Sequence, residues 1–327
     1  MVSGLTPSPL INSFIPVVAA IPILIDIKER LEGYWLQAGS ILSLLIASWF
    51  YSDDGISKAA LVITCFLAIF LYYIGIEVSN VPLQKNIISS SGIRFKTIQI
   101  CTEIGSLLGA VLTALIFPAV SQFIPALILV LPLASYIYRT KTRITAESTK
   151  DEWSALSSSK TTLNPLCFLQ GFVLGGLFAV LALWVRVIDG GKCFDFGVIL
   201  ACYFLGKGLV GIAPKFKLKY SYIIVFTLLT ACQLIPLRWV SVLLFIPIGM
   251  LINSTDLSIA SIFSEKDKPL EGWKSFQDQS ALGGIAGGLA LGSICQVIGL
   301  EYALPIVSSG FILLSMLSSK IHNTLNG

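Results

Sequence analysis

The sequence predicts an all-α polytopic membrane protein, with about 11 transmembrane helices in two pseudo-repeated bundles of five and six. Three observations predict it. First, 55% of the 327 residues are hydrophobic and only 12% are charged, against about 25% charged in soluble domains. The mean hydropathy is +0.85, and the apolar runs reach about 20 residues, the length that crosses a bilayer as a helix. Second, the basic residues fall almost entirely on alternate connections between those runs. Third, the two halves of the chain resemble each other.

Spans are expected near 9–26, 34–52, 56–78, 97–117 and 119–138 in the first half. In the second half they are expected near 163–185, 196–213, 220–236, 239–255, 279–298 and 301–319. Charged or turn-forming residues bound each run. The first closes at "DIKER", the second at Asp53, Asp54 and Gly55, and the third at "NVPLQK". Pro118 separates the fourth from the fifth. The span over 163–185 stops before Arg186 and the "DGGK" turn, the next at Pro214 and Lys215, and the next before Arg238. Asp256, Gly299 and Lys320 close the last three. This gives an N-terminal bundle over 1–138, an inter-bundle loop over 139–162 and a C-terminal bundle over 163–327.

Of the 22 Lys and Arg residues, 17 lie on the side of "DIKERLEG". Four lie on the other side, Lys58, Arg186, Lys192 and Arg238. Lys207 lies inside a span and belongs to neither side. By the positive-inside rule the basic side is cytoplasmic. The N-terminus as given is then outside, the C-terminus is cytoplasmic, and the cell (plasma or inner) membrane is the expected location.

Several function classes lose support. The seven cysteines are scattered, with no CxxC or Cys/His ligand spacing, and the one histidine, His322, is in the tail. No metal, cofactor or catalytic residue is expected from them. No nucleotide-binding signature occurs, and a net charge of +4 is weak support for nucleic acid. The N-terminal "MVSGLTPSPL" has no basic region of the kind that opens a cleaved signal peptide.

The internal repeat is visible in three places. "IGIEVSN" (74–80) matches "IGMLINS" (248–254). "IPILIDIKERLEGYW" (21–35) occupies the place of "VGIAPKFKLKYSY" (210–222). Gly105 and Gly109 in "TEIGSLLGAVL" match Gly283 and Gly287 in "SALGGIAGGLA". Parallel repeats of membrane helices are a transporter signature.

With these features the chain resembles the major facilitator superfamily. "PILIDIKER" resembles the family's loop motif after its second helix, keeping Asp26 and a displaced Arg30 but carrying Pro22 where the family favours Gly. The glycines at 105, 109, 283 and 287 resemble the family's Gly-rich fifth and eleventh helices, and 139–162 its long central loop. The resemblance implies that the first half holds helices two to six and the second half helices seven to twelve. The first helix, which lines the cavity in the family, is absent from this count. A start placed too late and a shortened, inactive member both fit that absence, and an in-frame apolar segment upstream would separate them.

Small residues four apart let helices approach closely, so Gly105/Gly109 and Gly283/Gly287 are expected to be packing faces; helices sliding during transport would use the same faces. Thr149 and Glu152 form a capping-box pattern in the central loop, where a plain solvated tether is the simpler reading. Gln170, deep in its span, is either interhelical glue or a substrate hydrogen-bonding group.

Intramembrane charges are costly and mark function. Glu77, Glu103 and Lys207 each lie seven or eight residues from a basic cytoplasmic loop, about 10–12 Å along a helix. They therefore share a layer. The competing reading for Lys207 is that its stem snorkels to the interface. The resemblance implies that the fifth and eighth helices are neighbours, which would bring Glu103 to Lys207 in an ion pair, with Glu77 nearer the cavity. Asp26 and Asp256 are expected at cytoplasmic helix ends, paired with loop cations or capping neighbouring helices.

The leading expectation is a monomeric secondary transporter of a small solute, with proton coupling through Glu77 or Glu103 as a variant. Its partners are the solute, the coupling proton and the lipid bilayer. The alternatives are a non-transporting scaffold or assembly protein derived from a transporter, and a membrane enzyme. The dispersed carboxylates and lone tail histidine argue against the enzyme.

Overall fold

The computed structural model describes residues 6–25, 33–52, 57–91, 95–116, 132–137, 163–187, 190–191, 193–211, 216–235, 238–263 and 269–325. Among these residues the fold is helical, with no strand. The helices are α1 (Pro9–Ala20), continued by a 3₁₀ turn over Ile21–Leu24, α2 (Gly33–Ser52), α3 (Lys58–Ser91) and α4 (Phe95–Ile116). Then follow α5 (Pro165–Val187), α6 (Cys193–Gly208) with a 3₁₀ turn at Leu209–Gly211, α7 (Leu218–Leu234) and α8 (Arg238–Leu243). The last are α9 (Phe245–Phe263), α10 (Pro269–Ile298) and α11 (Ala303–Leu325), the latter two joined through a 3₁₀ turn at Leu300–Tyr302. Among the described residues six segments are long and apolar enough to cross a membrane: Lys58–Ser79, Pro165–Val187, Phe194–Gly211, Trp239–Ile262, Trp273–Ile298 and Leu300–Ser319. This is a multi-pass membrane protein.

The span expected over 119–138 is described only at 132–137. The inter-bundle loop, with Thr149 and Glu152, and the motif residues Asp26 and Arg30 lie outside the described residues. Several helices outrun their expected spans. α3 continues to Ser91, α9 to Phe263, and α10 starts at Pro269 rather than 279. An apolar run marks where a helix crosses lipid. Backbone hydrogen bonding carries the helix further wherever side chains suit water or protein.

Two compact units form. One is drawn from Val18–Ile93 and Val120–Thr162. Its main contact is the α2–α3 pair, where Gly33 and Gly75 face each other. A Cβ on Gly33 would come 2.7 Å from the Gly75 carbonyl oxygen. The Gln37 amide donates to Ser79 Oγ at 2.9 Å, and Ser79 Oγ donates to the Gly75 carbonyl at 2.6 Å. The rings of Trp35 and Tyr136 lie 5.4 Å apart.

The second unit is drawn from Thr6–Val17, Arg94–Ala119 and Leu163–Gly327. It includes α4, from the first half of the sequence, because α4 packs along α6. α5 is its central helix, with 12 of its 23 residues buried. The core joins Leu177, Leu181 and Val185 of α5 with Tyr222, Val225 and Leu229 of α7, Ile248 and Ile252 of α9, and Phe311 and Leu314 of α11.

Glycine sets two of the tightest contacts. A Cβ on Gly171 or Gly175 of α5 would run into the backbone of Ser280 or Gly284 on α10. One on Gly283 or Gly287 would run into the carbonyls of Phe168 and Phe172 on α5. Gly206 of α6 and Gly249 of α9 meet the facing backbone at Ile246 and Tyr203 in the same way. Gly249 is the repeat partner of Gly75, and both mark a close helix approach. α1 rests on α10, where Gly288 and Gly292 receive Val17 and Ser13.

Gly105 and Gly109 differ from their repeat partners. A Cβ at either would meet no described atom within 4 Å. In the second half α5 covers the equivalent glycines, and the described first half holds no counterpart of α5. This contrast gives a direct expectation. Gly287→Ala should destabilise the purified protein by about 1–3 kcal/mol, as overpacking does. Gly105→Ala should be neutral or stabilising by up to about 1 kcal/mol through helix propensity. Unfolding in detergent, followed by circular dichroism, compares the two.

Candidate functional site: a polar column in the second unit

The buried polar residues of the second unit are arranged by helical spacing. Gln99 and Glu103 lie four residues apart on α4, Tyr203 and Lys207 four apart on α6, and Asn253 and Asp256 three apart on α9. Each pair therefore presents one face. The three faces meet.

The Lys207 ammonium and a Glu103 carboxylate oxygen lie 2.7 Å apart, with the two side chains 17% and 9% exposed. At that burial Lys207 does not need to snorkel, because its charge is answered inside the protein. Its Nζ also lies 6.0 Å from the centre of the Tyr203 ring, within cation–π range. The Asn253 amide donates to the main-chain carbonyl of Lys207 at 2.7 Å, and its own oxygen accepts from the Gln99 amide at 2.8 Å. Asn253 is fully buried. It ties the end of α6 to both α9 and α4, so the point from which the Lys207 stem departs is fixed.

The second part of the column centres on Gln170 of α5, which is 1% exposed. Its amide nitrogen donates to Asp256 Oδ1 and, at 3.4 Å, to Thr255 Oγ1. Its carbonyl accepts from the Tyr222 hydroxyl at 2.5 Å. One side chain thus links α5, α7 and α9. Interhelical bonding is what Gln170 does in this structure.

Asp256 departs from expectation. It is buried, at 7% exposure, and among the described residues it neither pairs with a loop cation nor caps a helix. The apolar run breaks at "NSTD", which placed Asp256 at the end of a span. The helix itself runs on to Phe263, leaving Asp256 about two turns inside. The polar residues there face protein: Asn253, Thr255 and Asp256 are all buried. The electrostatic fields of Lys207 and Glu103 both reach its carboxylate.

Of the other candidates, Glu77 is half-buried on α3 in the first unit. Gly283 and Gly287 form the α10 face against α5, while a Cβ added at Gly105 or Gly109 would meet no described atom within 4 Å. Sequence reasoning passed over Gln99, Tyr203, Tyr222 and Asn253, and it placed Asp256 at a helix end. The signal available was the three-or-four spacing of polar residues within apolar helices. Among the described residues no cluster of three or more His, Cys, Asp or Glu side chains is arranged to hold a metal.

Together these features define a polytopic helical membrane protein whose second unit carries a charged, hydrogen-bonded interior. The fold is that of the major facilitator transporters. The structure is similar to the nucleoside transporter NupG, with a TM-score of 0.63 at 13% identity over 98% of this chain and 90% of that one. It is also similar to a bacterial homologue of the iron transporter ferroportin in an outward-facing state, with a TM-score of 0.52 at 13% identity over 96% and 88%. No family model and no curated protein sequence matches the chain.

Removing Gln170 should be the most damaging single change among the polar groups of this column. Gln170→Leu orphans Asp256 Oδ1 and the Tyr222 hydroxyl at once, at about 1–3 kcal/mol per buried group. Tyr222→Phe leaves only the Gln170 carbonyl short of a donor and should cost less. Melting temperatures of the two variants in the same detergent give the ranking.

Proposed function

We propose that this chain is a secondary active transporter that moves a small solute across the cell membrane by alternating access, as a monomer. The observation that supports it is the Glu103–Lys207 pair. It joins α4, from the first half of the sequence, to α6, from the second, at a depth where each charge alone would be costly. Such a pair stabilises one packing of α4 on α6 and is lost in any packing that parts them. Two arrangements separated by a few charge-assisted contacts are the ordinary basis of a switching transition. The fold neighbours are transporters by name, which supports the same class.

In this reading the sequence bundles over 1–138 and 163–327 alternate, and the loop 139–162 links them on the cytoplasmic side. The 17-to-4 distribution of basic residues supports a cytoplasmic C-terminus. The solute is left unnamed, since the two fold neighbours carry chemically unrelated cargoes in their names. Proton coupling is the finer part of the proposal, and it rests on the intramembrane carboxylates.

The test is uptake into proteoliposomes across a panel of labelled solutes, with and without an imposed proton gradient. The wild-type protein should accumulate at least one solute above protein-free vesicles. Glu103→Ala and Lys207→Ala should each lower that uptake about tenfold or more, equivalent to about 1.4 kcal/mol. The exchanged double variant Glu103→Lys/Lys207→Glu should recover part of it. Absence of uptake for every solute with a correctly folded protein would refute the transporter reading.

A further inference from the structure

α6 changes its winding just after Lys207. It is α-helical to Gly208 and continues as a 3₁₀ turn over Leu209–Gly211. The last four carbonyls of an α-helix lack a partner in the helix itself. The Lys207 carbonyl is one of them, and it accepts from the Asn253 amide of α9 at 2.7 Å. One turn of α9 earlier, α6 and α9 are pressed backbone to backbone, since a Cβ on Gly206 or Gly249 would run into Ile246 or Tyr203. After Lys207 come Gly208, Leu209 and Val210, half-buried, and Gly211, exposed. The Asn253 bond therefore sits where a tightly packed stretch of α6 gives way to a looser segment bounded by glycines, which restrain the backbone least.

Which way Asn253 faces is set from a third helix. An amide offers an oxygen on one edge and an NH2 on the other. Gln99 of α4 donates to Asn253 Oδ1 at 2.8 Å, which leaves the NH2 edge for Lys207. Flipped over, Asn253 would set its NH2 against that of Gln99 and its oxygen against the Lys207 carbonyl. A donor on Oδ1 also polarises the amide and strengthens the bond it gives. Asn253 is 0% exposed, so water does not stand in for Gln99. α4 thus holds Lys207 twice. Glu103 takes the side chain at 2.7 Å, and Gln99 acts on the main chain through Asn253.

The Gln99 oxygen is buried without a hydrogen-bond partner among the described residues. An orphaned buried acceptor is costly. The docked position of Gln99 is therefore imposed by the packing of α4, and its own hydrogen bonding favours leaving that position.

We infer that Asn253 is a positioning residue that transmits the docking of α4 to the end of α6. With Gln99 on its oxygen, Asn253 holds the Lys207 carbonyl and keeps the segment Gly208–Gly211 in one conformation. Without Gln99 it reorients, and that segment is released. The relay is neutral and carries no ion or proton. It makes the shape of the α6 end follow the contact between α4 and α6, in step with the Glu103–Lys207 pair. The hydrogen bonds carry the device by themselves, and its use in transport rests on the transporter reading.

Hydrogen–deuterium exchange of the full chain in lipid nanodiscs, read by mass spectrometry, tests it without any solute. Gln99→Met keeps the side-chain volume, removes the donor and touches neither α6 nor Lys207. It should speed exchange of peptides covering 208–213 about tenfold or more, as a local opening does, while peptides from α5 and α10 keep their rates. Asn253→Leu should have the same local effect, and the double variant should exceed neither single one, since both break one relay. Unchanged exchange at 208–213 in Gln99→Met, additive effects in the double variant, or a rise spread evenly over the second unit would each overturn the inference. For any solute found by uptake, Gln99→Met should lower kcat and leave KM unchanged; a raised KM at unchanged kcat would also overturn it. Because the exchange experiment measures no flux, failure of the uptake screen and failure of the relay are separate results.

Discussion

An ammonium group can sit among apolar helices only when something nearby answers its charge, and much of the second unit is arranged around that requirement. Lys207 arrives at the end of α6 with Tyr203 one turn behind it, and both face α4 and α9. Glu103 supplies the opposite charge from α4. Asn253 supplies the donor that holds the α6 backbone in place. Without Glu103, a Lys at 207 would have to reach for water. The ion pair and the Asn253 bridge join α4, α6 and α9, and the Gln170 fork joins α5, α7 and α9. Such networks specify an arrangement more than they add to its stability, since replacing a buried pair with apolar residues is often neutral or better.

The second unit therefore holds its helices by two different means. α5 and α10 meet through glycine on both sides, backbone against backbone. α4 and α6 meet through the charged pair and its hydrogen-bonded supports. The first kind of contact depends on shape alone and would survive any change of protonation. The second depends on which groups are ionised. A protein that must rearrange without unfolding gains from separating these roles, with a shape-defined pair at the centre and a charge-defined pair at the side.

Much of the fold was legible because lipid imposes strict rules on sequence. A run of about 20 apolar residues has few alternatives to a spanning helix, and the basic loops alternate so regularly that an extra or missing span would scramble them. The Glu103–Lys207 contact was reachable because both residues are charged, and charges in apolar runs stand out. Asp256 was not, for an instructive reason. It ends an apolar run, so hydropathy reads it as a boundary, and only the continuation of α9 to Phe263 shows that the polar stretch faces inward. Asn253 and Tyr222 were harder still. An amide and a phenol in a span are common, and nothing in one sequence says which face of the helix meets protein. Gly105 and Gly109 show the converse limit. Their spacing equals that of Gly283 and Gly287, yet among the described residues only the second pair has a helix backbone against it.

The contact between α5 and α10 has a further consequence. Where a Cβ on Gly283 or Gly287 would strike the carbonyl oxygens of Phe168 and Phe172, the glycine carries a hydrogen instead, and that Cα–H points at the oxygen. These weak bonds contribute about 0.5–1 kcal/mol each, and they recur one turn apart along the helix. They have soft directionality and involve no side-chain rotamer. An interface built from them resists separation, yet offers little opposition to a small axial slip or roll, much as a rail guides a carriage without fixing its position. The same atoms that hold this joint together also leave its axial register soft.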